Sequence, residues 1–173
     1  MPKITDSNTT RTTGFDRRKL HHWIAFGFGS GLAPKAPGTF GTLAAIPFYL
    51  LMSPLAWPYY LGLVVLFTAI GLWACDLTAR ELGTKDPSAI VWDEFVGFFI
   101  TMLVVPSALL TESYGWAWVL AGFLAFRLFD IWKPWPIRVI DEQVEGGLGI
   151  MLDDILAGIM AALVLLIAMR VLS

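Results

Sequence analysis

The chain has one cysteine, Cys75, and two histidines, His21 and His22. A lone thiol excludes an internal disulfide and a cysteine-rich zinc site. Two adjacent imidazoles are too few for a multi-histidine metal centre. Charge is scarce as well: Asp, Glu, Lys and Arg make up 15% of the 173 residues, against about 25% in a soluble domain. A formal net charge of -2 offers no basic excess for nucleic acid, and neither a nucleic-acid partner nor an obligate protein partner is expected. The first 20 residues lack the apolar core of a cleavable signal peptide and read as a flexible polar segment with little surface to bury.

Apolar residues are abundant at 57%, with eight Trp and twelve Phe. They fall into five runs, 41–57, 59–79, 90–110, 116–132 and 154–172. A helix needs about 20 residues to cross the hydrocarbon core. The second, third and fifth runs meet that length, and the first and fourth are near its lower limit. The stretch HHWIAFGFGSGLAP is too short and glycine-rich to span and reads as interfacial or re-entrant. Lys and Arg collect at one end of the runs: Arg17, Arg18, Lys19, Lys35, Arg80, Lys85, Arg127, Lys133 and Arg138. Only Arg170 lies at the other. By the positive-inside rule the cation-rich end faces the cytoplasm. The expected fold is an all-α polytopic membrane helix bundle of about five apolar segments. The first is a span or a re-entrant hairpin, and residues 21–173 form a single helical domain.

With the sides set by run ends and cations, the acids coincide. Asp76, Asp93, Glu94, Asp130, Asp153 and Asp154 all fall at the inner end. Carboxylates at the edge of hydrocarbon are costly unless paired, wet or metal-bound. Mg2+ prefers oxygen ligands and is often held by a few carboxylates together with substrate phosphates; Asp93, Glu94, Asp130 and Asp154 offer such a set. Arg127 and Asp130 are three residues apart and share a helix face. Lys133 follows on roughly the same side, a point charge suited to a phosphate. Acids at helix starts also favour the helix dipole, which is the simpler account of Asp153 and of Asp93, though not of Asp130 at a helix end. The turn PGTFGT brings Thr39 to a helix start, where hydroxyl and backbone N–H groups hold phosphate or make an ordinary cap. A small transporter with a carboxylate-lined cation or proton path is the alternative, but mid-segment polar groups are few.

The pieces GFGSGLAPKAPGTFGT at 27–42, IVWDEFVG at 90–97, FRLFDIWKPWPIRVID at 126–141 and GGLGIMLDDILAG at 146–158 resemble the bacterial phosphatidylglycerophosphatase A family in content, order and spacing. The resemblance implies a multi-pass protein of the bacterial cytoplasmic (inner) membrane. Its activity would be Mg2+-dependent hydrolysis of phosphatidylglycerophosphate to phosphatidylglycerol and phosphate on the cytoplasmic side. The family's acidic motifs carry over onto Asp93, Glu94, Asp130, Asp153 and Asp154 as metal ligands. Thr39, Arg127, Lys133 and Asp141 are occupied as the family requires. On this reading Thr39, Arg127 and Lys133 contact the phosphate. Glu94, Asp130, Asp154, Lys133 and Arg127 act in catalysis, with Asp154 or Glu94 taking the water proton. Other phosphatase chemistries fit poorly: Cys75 and Arg80 are one residue short of a cysteine-phosphatase loop, no DxD pair exists, and no catalytic histidine is present.

Overall fold

The computed structural model describes residues 14–85 and 87–172. Residues 1–13 of the polar N-terminal segment lie outside the described residues. The next residues are tied down: Asp16 N–H donates to His22 Nδ1 at 2.9 Å, and the Phe15 ring lies 5.1 Å from that of Phe26.

All regular structure among the described residues is helical. The helices are α1 (Leu20–Ala25), α2 (Pro37–Met52), α3 (Trp57–Leu82), α4 (Trp92–Met102), α5 (Ser107–Leu110), α6 (Gly115–Trp132), α7 (Ile137–Gln143) and α8 (Gly146–Leu172). A 3-10 turn over Gly27–Leu32 joins α1 to α2. Their ends follow local chemistry. Pro37 and Pro58 lie in the first turns of α2 and α3, where the missing N–H would have no partner anyway. Gly83 ends α3 at φ 66°, a conformation that glycine adopts without a Cβ penalty.

Three helices among the described residues are long and apolar enough to cross a membrane: α3, α6 and α8. The apolar α2 is shorter, 16 residues or about 24 Å at 1.5 Å per residue. The expected count of five spans is therefore corrected to three, or four with α2. The run 90–110 is what fails. Its helix α4 stops at Met102 after 11 residues, about 16 Å against a core of about 30 Å. Pro106 then separates it from the four-residue α5. Continuous apolarity there has another cause. Nearly every residue of α4, including Phe95, Val96, Phe98 and Phe99, is buried. A helix hydrophobic all round is a core helix.

Around α4 pack α2, α3, α6 and α8. The backbones of α4 and α8 meet at two glycines. A Cβ on Gly158 would lie 2.5 Å from the Gly97 carbonyl oxygen, and one on Gly97 would lie 2.8 Å from the Asp154 carbonyl oxygen. Small residues permit such close approach of membrane helices. Near the C-terminal end of α4, the Tyr60 hydroxyl donates to Phe99 O at 2.9 Å, and backbone N–H groups of Leu103 and Val105 donate to Ile100 O and Met102 O.

Candidate active site

The start of α2, the start of α4, the last turns of α6 and the first third of α8 meet at one end of the bundle. Asp93 and Glu94 stand in the first turn of α4. Asp154 does not start its helix. Because α8 begins at Gly146, Asp154 lies about 12 Å along it, beyond the turn where a helix dipole acts. The glycine contact between α4 and α8 places it opposite the α4 acids. One carboxylate oxygen each of Asp93, Glu94 and Asp154 lies within 4.8 Å of the others.

From α6, Arg127 pairs with Asp130, and its Nη1 lies 3.8 Å from Glu94 Oε1. Asp130 in turn reaches Asp154. The start of α2 closes on this group: a Cβ on Gly38 would collide with Glu94 Oε1 and come within 2.9 Å of Arg127 Nη1. Any larger residue there would push the Glu94 carboxylate and the Arg127 guanidinium out of this arrangement, and Thr39 follows Gly38 directly. Four carboxylates thus face one guanidinium. Glu94 Oε2 and Asp154 Oδ2 are buried and accept no hydrogen bond, and Arg127 Nε is buried with no acceptor. Buried carboxylates in excess over cations, with orphaned oxygens, are the donor set a hard divalent cation requires.

Asp153 points elsewhere. Lys133 Nζ donates to Asp153 Oδ2 at 2.7 Å and to Asp141 Oδ1 at 2.7 Å. Lys133 ends α6 in a left-handed conformation at φ 45°. Burial disfavours its charge, but the hydrogen bonds to Asp141 and Asp153 outweigh this and hold its pKa above the ordinary lysine value. A cavity of about 440 Å3, lined by Lys85, Asp93, Asp141, Glu142 and Asp153, opens beside this bridge. The structure therefore gathers Asp93, Glu94, Asp154, Asp130 and Arg127 into one group. Asp153 and Lys133 form a second group at its mouth. Asp76 has a structural place: Oδ1 accepts from Gly147 N–H at 3.1 Å and Oδ2 pairs with Arg80 at 2.8 Å.

The sequence reading marked the PGTFGT turn that holds Gly38 but not its contact with Glu94 and Arg127, and it missed Gly97 and Gly158, whose only signal was a small residue in an apolar run. It also missed a second group of possible cation ligands. His21 and His22 are joined by Glu81, some 60 residues away. Lys19 Nζ, His22 Nε2 and His21 Nε2 lie 2.7, 3.0 and 3.3 Å from Glu81 Oε2. His22 Nδ1 already accepts from Asp16 N–H, so Nε2 carries the proton that faces Glu81. With Lys19 on the same oxygen, this cluster is an ion-paired clamp of α1 onto α3.

A family model described as Phosphatidylglycerophosphatase A matches residues 23–169. The Phosphatidylglycerophosphatase A of Escherichia coli (strain K12) is 51% identical over 141 residues, 82% of this chain and 78% of that protein. That of Haemophilus influenzae is 46% identical over 144 residues, 83% and 85% of the two chains. A Bacteroides thetaiotaomicron protein, provisionally named a phosphatidylinositol-3-phosphatase, is 43% identical over 152 residues, 84% and 91% of the two chains. No solved structure matches the chain. A match over most of the length, with identities near one half, means that this chain belongs to the phosphatidylglycerophosphatase A family.

Proposed function

We infer that this chain is an integral-membrane lipid phosphatase, with residues 21–173 as one catalytic unit. Its reaction is hydrolysis of the phosphomonoester of phosphatidylglycerophosphate to phosphatidylglycerol and phosphate. The observation that carries this reading is the meeting of Asp93, Glu94 and Asp154 within 4.8 Å at the cation-rich end of a bundle that belongs to this family.

Asp93, Glu94 and Asp154 would hold Mg2+, with Asp130 beside them. Their all-oxygen donor set and the unpartnered Glu94 Oε2 and Asp154 Oδ2 fit that ion. Bound there, Mg2+ supplies charge that neutralises phosphoryl oxygens and acidifies water. The chain's own groups do the rest. Arg127 is tethered by Asp130 but keeps Nε without an acceptor, so it has a donor left for a phosphoryl oxygen. Thr39, one residue past Gly38, brings a hydroxyl to the same end. Lys133 spends two donors on Asp141 and Asp153 and retains a third for phosphate. By tying Asp153 down it keeps that carboxylate out of the inner group. Asp154 or Glu94 takes the proton of the attacking water. The site faces the cytoplasm, because Arg80, Lys85, Arg127, Lys133 and Arg138 share its end of the bundle.

Phosphate release from phosphatidylglycerophosphate in detergent, with Mg2+ and with a chelator, tests the reading. Metal-dependent release is expected, faster than from phosphatidylinositol 3-phosphate or phosphatidic acid. Chelator-insensitive release would remove the metal role. No release from phosphatidylglycerophosphate, or preference for another phosphomonoester lipid, would overturn the substrate.

A further inference from the structure

On the lipid-facing side, α2 and α6 are pinched together at the site and parted below it. At the pinch, Gly38 of α2 sits against Arg127 of α6 and Glu94 with no room for a Cβ. Below it the helices leave a groove of about 440 Å3 whose walls include Leu43, Ile46 and Leu50 of α2 and Val119, Leu120 and Phe123 of α6. The lining is almost wholly apolar, and Leu43, Leu50 and Leu120 are exposed along it.

Helical spacing connects this groove to the site. Thr39, Leu43, Ile46 and Leu50 fall at intervals of four, three and four, one stripe of α2. On α6 the stripe Val119, Phe123, Arg127 has intervals of four. Each wall therefore continues, one turn higher, into a residue assigned above to phosphate. One turn is about 5 Å of rise, and the α2 wall runs about 10 Å further from the site, to where Leu110, Gly115 and Trp116 line the groove at the far end of α6. A phospholipid has the same order of parts. Its phosphomonoester lies outermost, a polar linker of glycerol, phosphodiester and a second glycerol follows, and the acyl chains run down into the hydrocarbon.

We propose that the α2–α6 groove is the acyl-chain subsite of the enzyme, holding one fatty-acyl tail of the phospholipid whose phosphomonoester lies at Arg127 and Thr39. This rests on the phosphatase reading above. In hydrocarbon a groove gains little from apolar burial, since surrounding lipid is equally apolar. Its contribution is orientation. A tail seated between the helices points the headgroup at the carboxylates and lowers the freedom lost on reaching the reactive geometry.

Two measurements decide it. Ile46→Trp and Val119→Trp fill the groove from opposite walls. Each is compared with wild type in kcat/KM for dioleoyl and dihexanoyl phosphatidylglycerophosphate. Both variants are expected to lower the dioleoyl-to-dihexanoyl ratio about tenfold, below the roughly 100-fold that a misplacement of about 1 Å can cost; an unchanged ratio in both overturns the proposal. The second measurement needs no variant. Phosphatidylglycerol carrying a diazirine in one acyl chain is photolysed with the wild-type protein and the adducts are mapped. Adducts concentrated on residues 43–50 and 116–123 are expected. Adducts spread equally over the lipid-facing sides of α3 and α8 would mean bulk lipid only, and links between two copies would mean a dimer face; either overturns the subsite. If wild type hydrolyses neither substrate, the phosphatase reading fails, and the adduct map still decides whether a lipid tail seats in the groove.

Discussion

Asp153 and Asp154 are adjacent, chemically identical and differently employed. Successive helical residues point about 100° apart, which turns Asp153 to Lys133 at 2.7 Å and Asp154 to Asp93 and Glu94. Those inner carboxylates crowd like charge into a buried space, which costs stability in the absence of a cation. Asp154→Asn and Glu94→Gln are therefore expected to lower kcat roughly 100-fold or more, the scale of losing a charged catalytic group. The melting temperature in detergent without metal is expected to hold or rise, since each change removes a repelling charge. Steady-state kinetics and a thermal scan on purified variants read both, and near-normal turnover of either would take that residue out of the site. The His21, His22 and Glu81 cluster shows the opposite case. Its carboxylate already meets Lys19, and its task is attachment of α1.

At the scale of the element, the site depends on helices that touch without side chains between them. The Gly158 position against the Gly97 carbonyl sets the height of Asp154 relative to Asp93 and Glu94. Gly158→Val would drive a branched side chain into backbone that has nowhere to move. It is expected to cost about 1–3 kcal/mol, as overpacking does, and to lower activity and melting temperature together. That joint loss distinguishes it from Asp154→Asn, and a Gly158→Val protein of native melting temperature would refute the packing argument. The same scale explains α4. Burial on every side requires apolar residues on every face, so a short internal helix carries the sequence signature of a membrane span.

At the scale of the whole molecule, α3, α6 and α8 are the helices of spanning length, and all the candidate catalytic groups lie at one end of them. Orientation is read by impermeant maleimide on intact cells. Thr111→Cys, in the turn at the end away from the site, is expected to label, whereas Lys85→Cys labels only after the membrane is opened. Native Cys75 is fully buried and gives a low background. Labelling of Lys85→Cys in intact cells would reverse the topology.

The all-helical class, the end of the bundle that carries the acids, and the pairing of Arg127 with Asp130 were legible in the sequence. Each depends on short-range rules: run length, charge bias, and the three-residue spacing on a helix. The family resemblance was legible because whole motifs carry it. What only the tertiary structure decided depends on neighbours distant in the chain. Whether the 90–110 run crosses a membrane depends on what surrounds α4. Which of Asp153 and Asp154 enters the inner group depends on where α8 starts, and it starts at Gly146, well before its apolar run. That Gly38 and Gly158 are contact points, and that Glu81 joins His21 and His22, follows from packing between segments. Composition and local spacing specify which side chains are present and which face of a helix they share. Only the close approach of α2, α4, α6 and α8 makes a set of scattered carboxylates into a site a few ångströms wide.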